Sequence, residues 1–239
     1  NEALAGGDIF GSNNVNIKNS SFIGSKADYY GGSIGIDGGN IRVVDSKFGN
    51  CQAPNGIDRY ATGNVTLIAN SYNGKPNYNS TEVVAGNITN IISGSFGEIQ
   101  YRINNTPENG VLNLENKKYT ANENDTTITI NKNITINGNG AILDGDNRFG
   151  IMNIAEDVSG TLKNLTFING KETSNNGGGA IYSKGNLTID SCHFKNTTAT
   201  ENNGGALSIA YGRLFVTNST FTNTTAKGDG GAIGSNTLS

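Results

Sequence analysis

The chain has 239 residues, of which 34 are glycine and only 15% are charged, and it contains no tryptophan. A hydrophobic fraction of 34% is low for a globular protein and favours a fold with a thin internal core. The formal net charge of −3 argues against nucleic acid or an anionic membrane as a partner. No apolar run approaches the length of a membrane span, and the chain starts at Asn1 without a signal peptide, which is typical of a mature form or of part of a longer protein.

Residues 1 to about 75 contain a degenerate repeat. The first motif, Gly-Gly-x-Ile, begins at Gly6 and again at Gly31. The second is a short alternating strand that ends on an aromatic residue, and it recurs at 15–22, 41–48 and 65–72. These copies predict roughly three coils of one stack, and the turn-rich segment 73–78 indicates its end.

Residues 80–95 lack both motifs and are interpreted as a connector. The next segment, residues 96–104, has the one convincing helical pattern of the chain, with apolar residues at Phe96, Ile99 and Ile103. Ser95 and Glu98 have the spacing of a capping box, and Pro107 ends the pattern. Short strands follow up to residue 154. We therefore predict a short helix that caps a β-helix; the alternative is an ordinary surface helix.

The repeat is most regular near the end of the chain. Gly-Gly-Ala followed by Ile or Leu begins at Gly178, Gly204 and Gly230, which are 26 residues apart (178, 204, 230). Alternating strands separated by Gly-Asn and Asn-Asn turns accompany it, and no segment within a repeat is suited to a helix. Two motifs that keep one period predict a solenoid, and short strands of this kind predict an all-β parallel β-helix.

Stacked coils place each residue about 4.8 Å from its counterpart. This predicts an aromatic ladder in each stack, formed by Phe22, Phe48 and Tyr72 and by Phe167, Phe194 and Phe221. It also predicts a buried amide ladder of Asn169, Asn196 and Asn223. The glycine pairs suit tight corners, where a Cβ would clash or φ must be positive: Gly178, Gly179, Gly204, Gly205, Gly230 and Gly231.

The order of the motifs predicts the domain organisation. Residues 1–79 are assigned to the closing coils of one β-helix, 80–95 to the connector, and 96–239 to the capping helix and opening coils of a second. Both ends of the chain fall within a repeat and would leave strand edges uncovered. Two explanations fit: the chain is a slice of a longer array, or copies stack head to tail into a homopolymer.

Candidate catalytic residues are few. The single histidine, His193, lies within a coil motif and is interpreted as a solvated strand residue. Cys51 and Cys192 have no metal-ligand spacing. The one local acidic cluster, Asp144 and Asp146 with Arg148, is more typical of a turn than of a lyase or glycosidase site. We therefore predict no catalytic residue, no metal and no cofactor.

Several Asn-x-Ser/Thr triplets are candidate N-glycan acceptors in a secreted protein. Those outside the predicted ladders are Asn64, Asn87, Asn133 and Asn186. Asn196 and Asn223, as members of a buried ladder, are predicted to stay unmodified.

Together these motifs carry a family resemblance. The runs at 96–107, 112–114, 134–145 and 162–170 resemble the opening of the right-handed parallel β-helix domains in adhesin-like surface proteins of methanogenic archaea. The Gly-Gly-Ala-Ile and Phe-x-Asn motifs are also similar to those of chlamydial polymorphic outer-membrane proteins. The resemblance implies an extracellular, cell-surface protein that is not an enzyme. It implies a rigid shaft that adheres to a glycan or protein of a host or cell surface, or that assembles with itself. The alternative is a polysaccharide lyase or glycoside hydrolase on the same fold.

Overall fold

The computed structural model of the chain describes residues 1–56, 58–72, 81–83 and 86–235. These residues form two compact units, Asn1–Ser93 and Gly94–Ser239, here called unit 1 and unit 2. Each unit is a parallel β-solenoid, which confirms the predicted fold class, and the right-handed sense of the coils remains a prediction. In the described part of the chain, no helix has the length and the apolar composition that crossing a membrane requires.

Unit 1 consists of short strands, most of them three to five residues long. They are β1 (Glu2–Ala5), β2 (Ile9–Gly11), β3 (Val15–Lys18), β4 (Ser21–Ile23), β5 (Lys26–Tyr30), β6 (Ile34–Ile36), β7 (Ile41–Val44), β8 (Lys47–Gly49), β9 (Arg59–Ala61), β10 (Val65–Ile68), β11 (Ser71–Tyr72), β12 (Thr81–Val83) and β13 (Ile88–Ile91).

The strands of unit 1 stack in parallel sheets, one strand from each coil. The sheet orders are β13-β10-β7-β3, β12-β9-β6-β2, β11-β8-β4 and β1-β5. The connector predicted at residues 80–95 contains β12 and β13, which pair with β9 and β10 and so extend the stack. Backbone pairing suffices for this, which is why these two strands join the stack without the repeat motifs. The stack end predicted at residues 73–78 lies outside the described residues.

Unit 2 begins with a helix and continues with longer strands. Its elements are α1 (Phe96–Asn105), β14 (Gly110–Asn113), β15 (Lys118–Thr120), β16 (Ile128–Ile130), β17 (Ile134–Asp144), β18 (Met152–Ile154), β19 (Ser159–Ile168), β20 (Lys171–Glu172), β21 (Ile181–Ser183), β22 (Asn186–Asp190), β23 (His193–Lys195), β24 (Thr198–Ala199), β25 (Leu207–Ile209), β26 (Leu214–Thr217), β27 (Thr220–Thr222), β28 (Thr225–Ala226) and β29 (Ile233–Ser235).

Three sheets enclose the core of unit 2. One follows the order β14-β17-β19-β22-β26, the second β16-β18-β21-β25-β29 and the third β20-β24-β28. Leu162 of β19 pairs with Ile189, which pairs with Val216, so one apolar row runs through successive coils. Alternate residues of each strand point inward, so each coil buries only a few side chains. The low hydrophobic content of the chain is therefore sufficient to fill the core.

Helix α1 confirms the predicted cap. Phe96, Ile99 and Ile103 are buried in the core of unit 2. The Ser95 hydroxyl accepts a hydrogen bond from the Glu98 N–H, as a capping box requires. The side-chain amide of Gln100 bonds both the carbonyl and the N–H of Thr129 in β16. The helix therefore covers the core and also satisfies part of a strand edge, a surface that otherwise invites pairing with other chains.

Candidate functional site

The predicted aromatic residues form two stacks. In unit 2 the ring centroids of Phe167 and Phe194 are 4.8 Å apart, and those of Phe194 and Phe221 are 4.9 Å apart. The rings are nearly parallel, with interplanar angles of 4° and 5°. These spacings equal the separation of neighbouring strands, so each ring is held by the register of its own coil.

The unit 1 stack has the same design with a looser fit. Phe22 and Phe48 are 5.0 Å apart, and Phe48 and Tyr72 are 5.4 Å apart. The interplanar angles widen to 14° and 19°. The structure thus brings all six sequence-predicted aromatic residues into interior stacks.

Two different constraints require glycine at the paired corner positions. The first glycine of each pair, such as Gly178 or Gly204, has a φ of about +70° (73° and 72°), where an L side chain is strained. The second glycine lies against the backbone of the next coil: a Cβ on Gly205 would be 2.1 Å from the Gly231 carbonyl oxygen. For Gly231 itself, the nearest atom to such a Cβ is the Thr224 carbonyl oxygen at 3.6 Å. Gly230, the first glycine of its pair, has a φ of 69°.

The predicted asparagine ladder exists, but its predicted burial is wrong. Asn223 donates its side-chain amide to Asn196 at 3.3 Å, and Asn196 donates to Asn169 at 3.5 Å. All three residues have φ between 52° and 55°, at the corner that follows each aromatic strand. A residue in this conformation turns its side chain out of the coil, and Asn196 and Asn223 are exposed. Burial therefore gives no reason for these two triplets to stay unmodified.

A second row of left-handed residues lies three positions before each stacked aromatic residue. It has φ between 50° and 55° and consists of Asn19, Asp45, Ala69, Asn164, Ser191 and Asn218. Asparagine and aspartate tolerate this conformation better than other residues with a side chain. Asp45 thus lies at a corner of the coil.

The candidate glycan acceptors belong to a third row that the sequence interpretation missed. Asparagines at or just before the start of a strand accept a hydrogen bond from the backbone N–H of the next coil. In unit 1 the side-chain oxygen of Asn40 accepts from Asn64, and that of Asn64 accepts from Asn87, at 2.8 and 3.0 Å. In unit 2 Asn133 accepts from Ser159, and Asn186 from Arg213, at 2.7 and 3.0 Å. The recurring signal was Asn followed by an apolar residue at each strand start.

Asn64, Asn87 and Asn186 are exposed, and Asn133 is half-buried. An N-glycan replaces a hydrogen of the side-chain nitrogen and leaves the oxygen free to accept these bonds. Modification of these four residues therefore remains a prediction that the coil-to-coil bonds permit.

The acidic cluster is divided between two environments. Asp144, at the end of β17, is buried, and one of its oxygens lies 2.6 Å from the ammonium nitrogen of Lys118. The other oxygen accepts from the side-chain amide of Asn169 at 3.0 Å and from the N–H of Asp146 at 2.9 Å. Asp146 is exposed and pairs with Arg148 at 2.9 Å. Asp144 therefore links residues of three successive coils.

The titration of Asp144 fits that structural role. Burial raises the pKa of this carboxyl, but the hydrogen bonds from Lys118, the Asp146 N–H and Asn169 together hold the pKa below its usual value. A general acid near neutral pH needs the opposite shift. The arrangement favours a carboxylate that is ionised at neutral pH and stabilises a turn.

The other reactive side chains are also engaged in coil packing. The His193 ring nitrogen Nδ1 lies 2.8 Å from the Thr220 hydroxyl of the next coil. Cys51 and Cys192 are both buried and free. Burial raises the pKa of Cys192 to about 11 and also raises that of Cys51, so both thiols stay protonated and weakly nucleophilic at neutral pH.

Arg59 is an interior residue that no motif indicated. It occupies the register position of Ile34 and is completely buried in unit 1. Its guanidinium carbon lies 4.3 Å from the ring centroid of Phe48 and 4.7 Å from that of Tyr72. Burial lowers the pKa of Arg59, while Tyr72 and Asp58 act in the opposite direction. The cation therefore replaces an aliphatic side chain and packs on the aromatic stack.

Within the described ranges, no group of three or more His, Cys, Asp or Glu side chains is placed to hold a metal ion. Comparison with family models, with curated proteins and with solved structures gives no match to this chain.

Proposed function

We propose that the chain is a non-enzymatic, extracellular structural protein of the adhesin-like kind, in which each β-solenoid unit acts as a rigid shaft at a cell surface. The observation that carries this proposal is the repetition of one coil-to-coil bonding pattern. Aromatic stacks inside, amide rows at the corners and parallel strand pairing all repeat along the same direction.

This pattern favours stiffness. Each coil is joined to the next by backbone hydrogen bonds and by several side-chain contacts, and parallel contacts must break together when a coil is bent or peeled away. The polar side chains that the sequence offers for catalysis take part in the same bonding: Asp144 holds Lys118 and Asn169, and His193 contacts Thr220.

The acidic cluster provides the test against the enzyme alternative. We expect Asp144→Asn to lower the free energy of unfolding by about 1.5–3 kcal/mol at neutral pH, the range for hydrogen bonds to charged groups. The lower end applies because Lys118 is half exposed to solvent. A depressed pKa stabilises the fold above the unfolded value near 3.9, so the difference between wild type and variant should shrink below about pH 4. Urea denaturation at several pH values measures it.

Asp146→Asn is the matched control, because that carboxylate lies in an exposed ion pair and should change stability by no more than about 0.5 kcal/mol. The same proteins are incubated with polygalacturonate and alginate, and product release is measured. We expect none from the wild-type chain. Product release that Asp144→Asn or Asp146→Asn abolishes would move the chain to the enzyme class.

Self-assembly is the second part of the proposal. Along one interior row Ile181 and Leu207 are fully buried, whereas Ile233 is 38% exposed. A further coil on Ile233, supplied by a second copy, would bury it and continue the row. We expect electron microscopy and light scattering of the 239-residue chain to show fibres at high concentration, and Ile233→Lys to reduce them. A stable monomer at all concentrations would exclude head-to-tail stacking.

A further inference from the structure

Unit 1 carries a cluster of aromatic side chains on an outer face of the solenoid. Phe10 of β2 and Tyr60 of β9 are both in register with Gly35 of β6, one coil to either side. Because Gly35 has no side chain, there is room for a third ring between them. The ring centroid of Tyr30 lies 4.2 Å from that of Tyr60 and 6.3 Å from that of Phe10. We call Phe10, Tyr30 and Tyr60 the aromatic platform.

The platform faces solvent. The side chain of Phe10 is 59% exposed, and that of the adjoining Tyr29 is 62% exposed, while Tyr30 and Tyr60 are half-buried. These rings are separate from the interior stack of Phe22, Phe48 and Tyr72 and add little to the core. A contiguous aromatic surface of this kind on a polar protein marks a binding surface.

A groove lined by both apolar and polar side chains lies along strand β5. It has a volume of about 390 Å³ and is lined by Lys26, Ala27, Asp28, Cys51, Gln52, Ala53 and Pro54. Asp28 lines the groove and precedes Tyr30 by two residues on β5, where the strand has a register shift, so the groove and the platform are at most about 7 Å apart along the chain. Its volume falls within the range of roughly 300–1,000 Å³ that is typical of small-molecule sites.

The chemistry of the two surfaces is complementary to one class of ligand. Lys26 offers hydrogen-bond donors, Asp28 offers acceptors, and Gln52 offers both. Lys26 and Asp28 have opposite charges, and the Glu2 carboxylate, 3.8 Å from Lys26, is not part of the lining, so the lining carries no net charge that would favour an ionic ligand. A pyranose ring has an apolar face of C–H groups that packs on an aromatic ring, and a rim of neutral hydroxyls that need both donors and acceptors.

We propose that the groove and the aromatic platform of unit 1 form a binding site for a pyranose unit of a neutral glycan. The sugar ring packs on the platform, and Lys26, Asp28 and Gln52 bond its hydroxyls. This inference rests on the proposed function, because it names the partner class of an adhesin-like chain.

The test is affinity electrophoresis of the full chain through native gels that contain galactomannan, mixed-linkage β-glucan, xylan or dextran. We expect retardation by at least one of these neutral polysaccharides. Tyr30→Ala should weaken it at least tenfold, and so should Gln52→Ala, which leaves the three rings in place. Tyr211→Ala in unit 2 is the matched control, since this tyrosine is 57% exposed and lies outside the site.

No retardation in any of the four gels would overturn the inference, and so would retardation that Tyr30→Ala and Gln52→Ala leave unchanged. Circular dichroism checks the fold of each variant, and Gln52→Ala decides alone if Tyr30→Ala is unfolded. The inference is also contradicted if a peptide probe binds in preference to the glycans and Tyr30→Ala abolishes that binding. Failure to bind together with no product release leaves the structural role intact, whereas binding followed by cleavage contradicts that role.

Discussion

Replacing Phe194 with alanine should lower the free energy of unfolding by about 3–5 kcal/mol, the usual cost of deleting a buried aromatic ring. Phe194 lies in the middle of its stack, with Phe167 at 4.8 Å and Phe221 at 4.9 Å. Its removal leaves a cavity that the flanking rings cannot fill, because strand register fixes their positions. Urea denaturation of the full chain, followed by circular dichroism, measures the change.

Phe215→Ala is the control for this experiment. Phe215 lies on strand β26, which pairs with β22 in the same unit, but it is 63% exposed. We expect its replacement to change stability by no more than about 0.5 kcal/mol. Equal effects of the two substitutions would show that the aromatic stack does not carry the stability of unit 2.

The second large effect is expected at a glycine. Gly205→Ala places a Cβ 2.1 Å from the Gly231 carbonyl oxygen and 2.4 Å from the Thr225 nitrogen. Both are backbone atoms, so relief requires the coils to move apart, which strains the strand pairing on either side of the corner. Overpacking of this kind costs about 1–3 kcal/mol and occasionally more. We expect the upper end of this range, measured by the same denaturation experiment.

Gly231→Ala separates this steric effect from a general effect of alanine at the corner. The two glycines occupy equivalent positions of successive coils, but a Cβ on Gly231 has its nearest neighbour at 3.6 Å. At a concentration at which the chain is monomeric, this variant should be about as stable as the wild type. A loss equal to that of Gly205→Ala would mean that backbone conformation, and not coil contact, requires the second glycine.

The repeat motif predicts where the glycine pairs lie but not why each glycine is required. The 26-residue spacing predicted that all three pairs lie at tight corners. The structure separates the positive φ of the first glycine, 72° at Gly204, from the close backbone approach at the second, Gly205. A positive φ and a close backbone approach both require glycine, so the sequence shows a glycine in either case and does not distinguish the two causes.

Two features of unit 1, the aromatic platform and the buried Arg59, could not be predicted from the repeat motifs. The platform residues Phe10, Tyr30 and Tyr60 come from different strands, and only the register through Gly35 brings them together. Arg59 gives no hint in the sequence that its charge is buried, because a cation in a strand is ordinarily exposed. Its position depends on the aromatic rings that neighbouring coils supply.

The sequence by itself determined the solenoid, the aromatic stacks and the capping helix, because each depends on a local period: two residues for a strand, about 3.6 for a helix, and one coil for the stack. The tertiary structure alone decided that Thr81–Val83 and Ile88–Ile91 join the stack of unit 1, that Asn196 and Asn223 are exposed, and that the aromatic platform forms. Strand pairing uses backbone groups that every residue carries, and the direction of a corner side chain depends on φ. Neither leaves a periodic signal in the sequence.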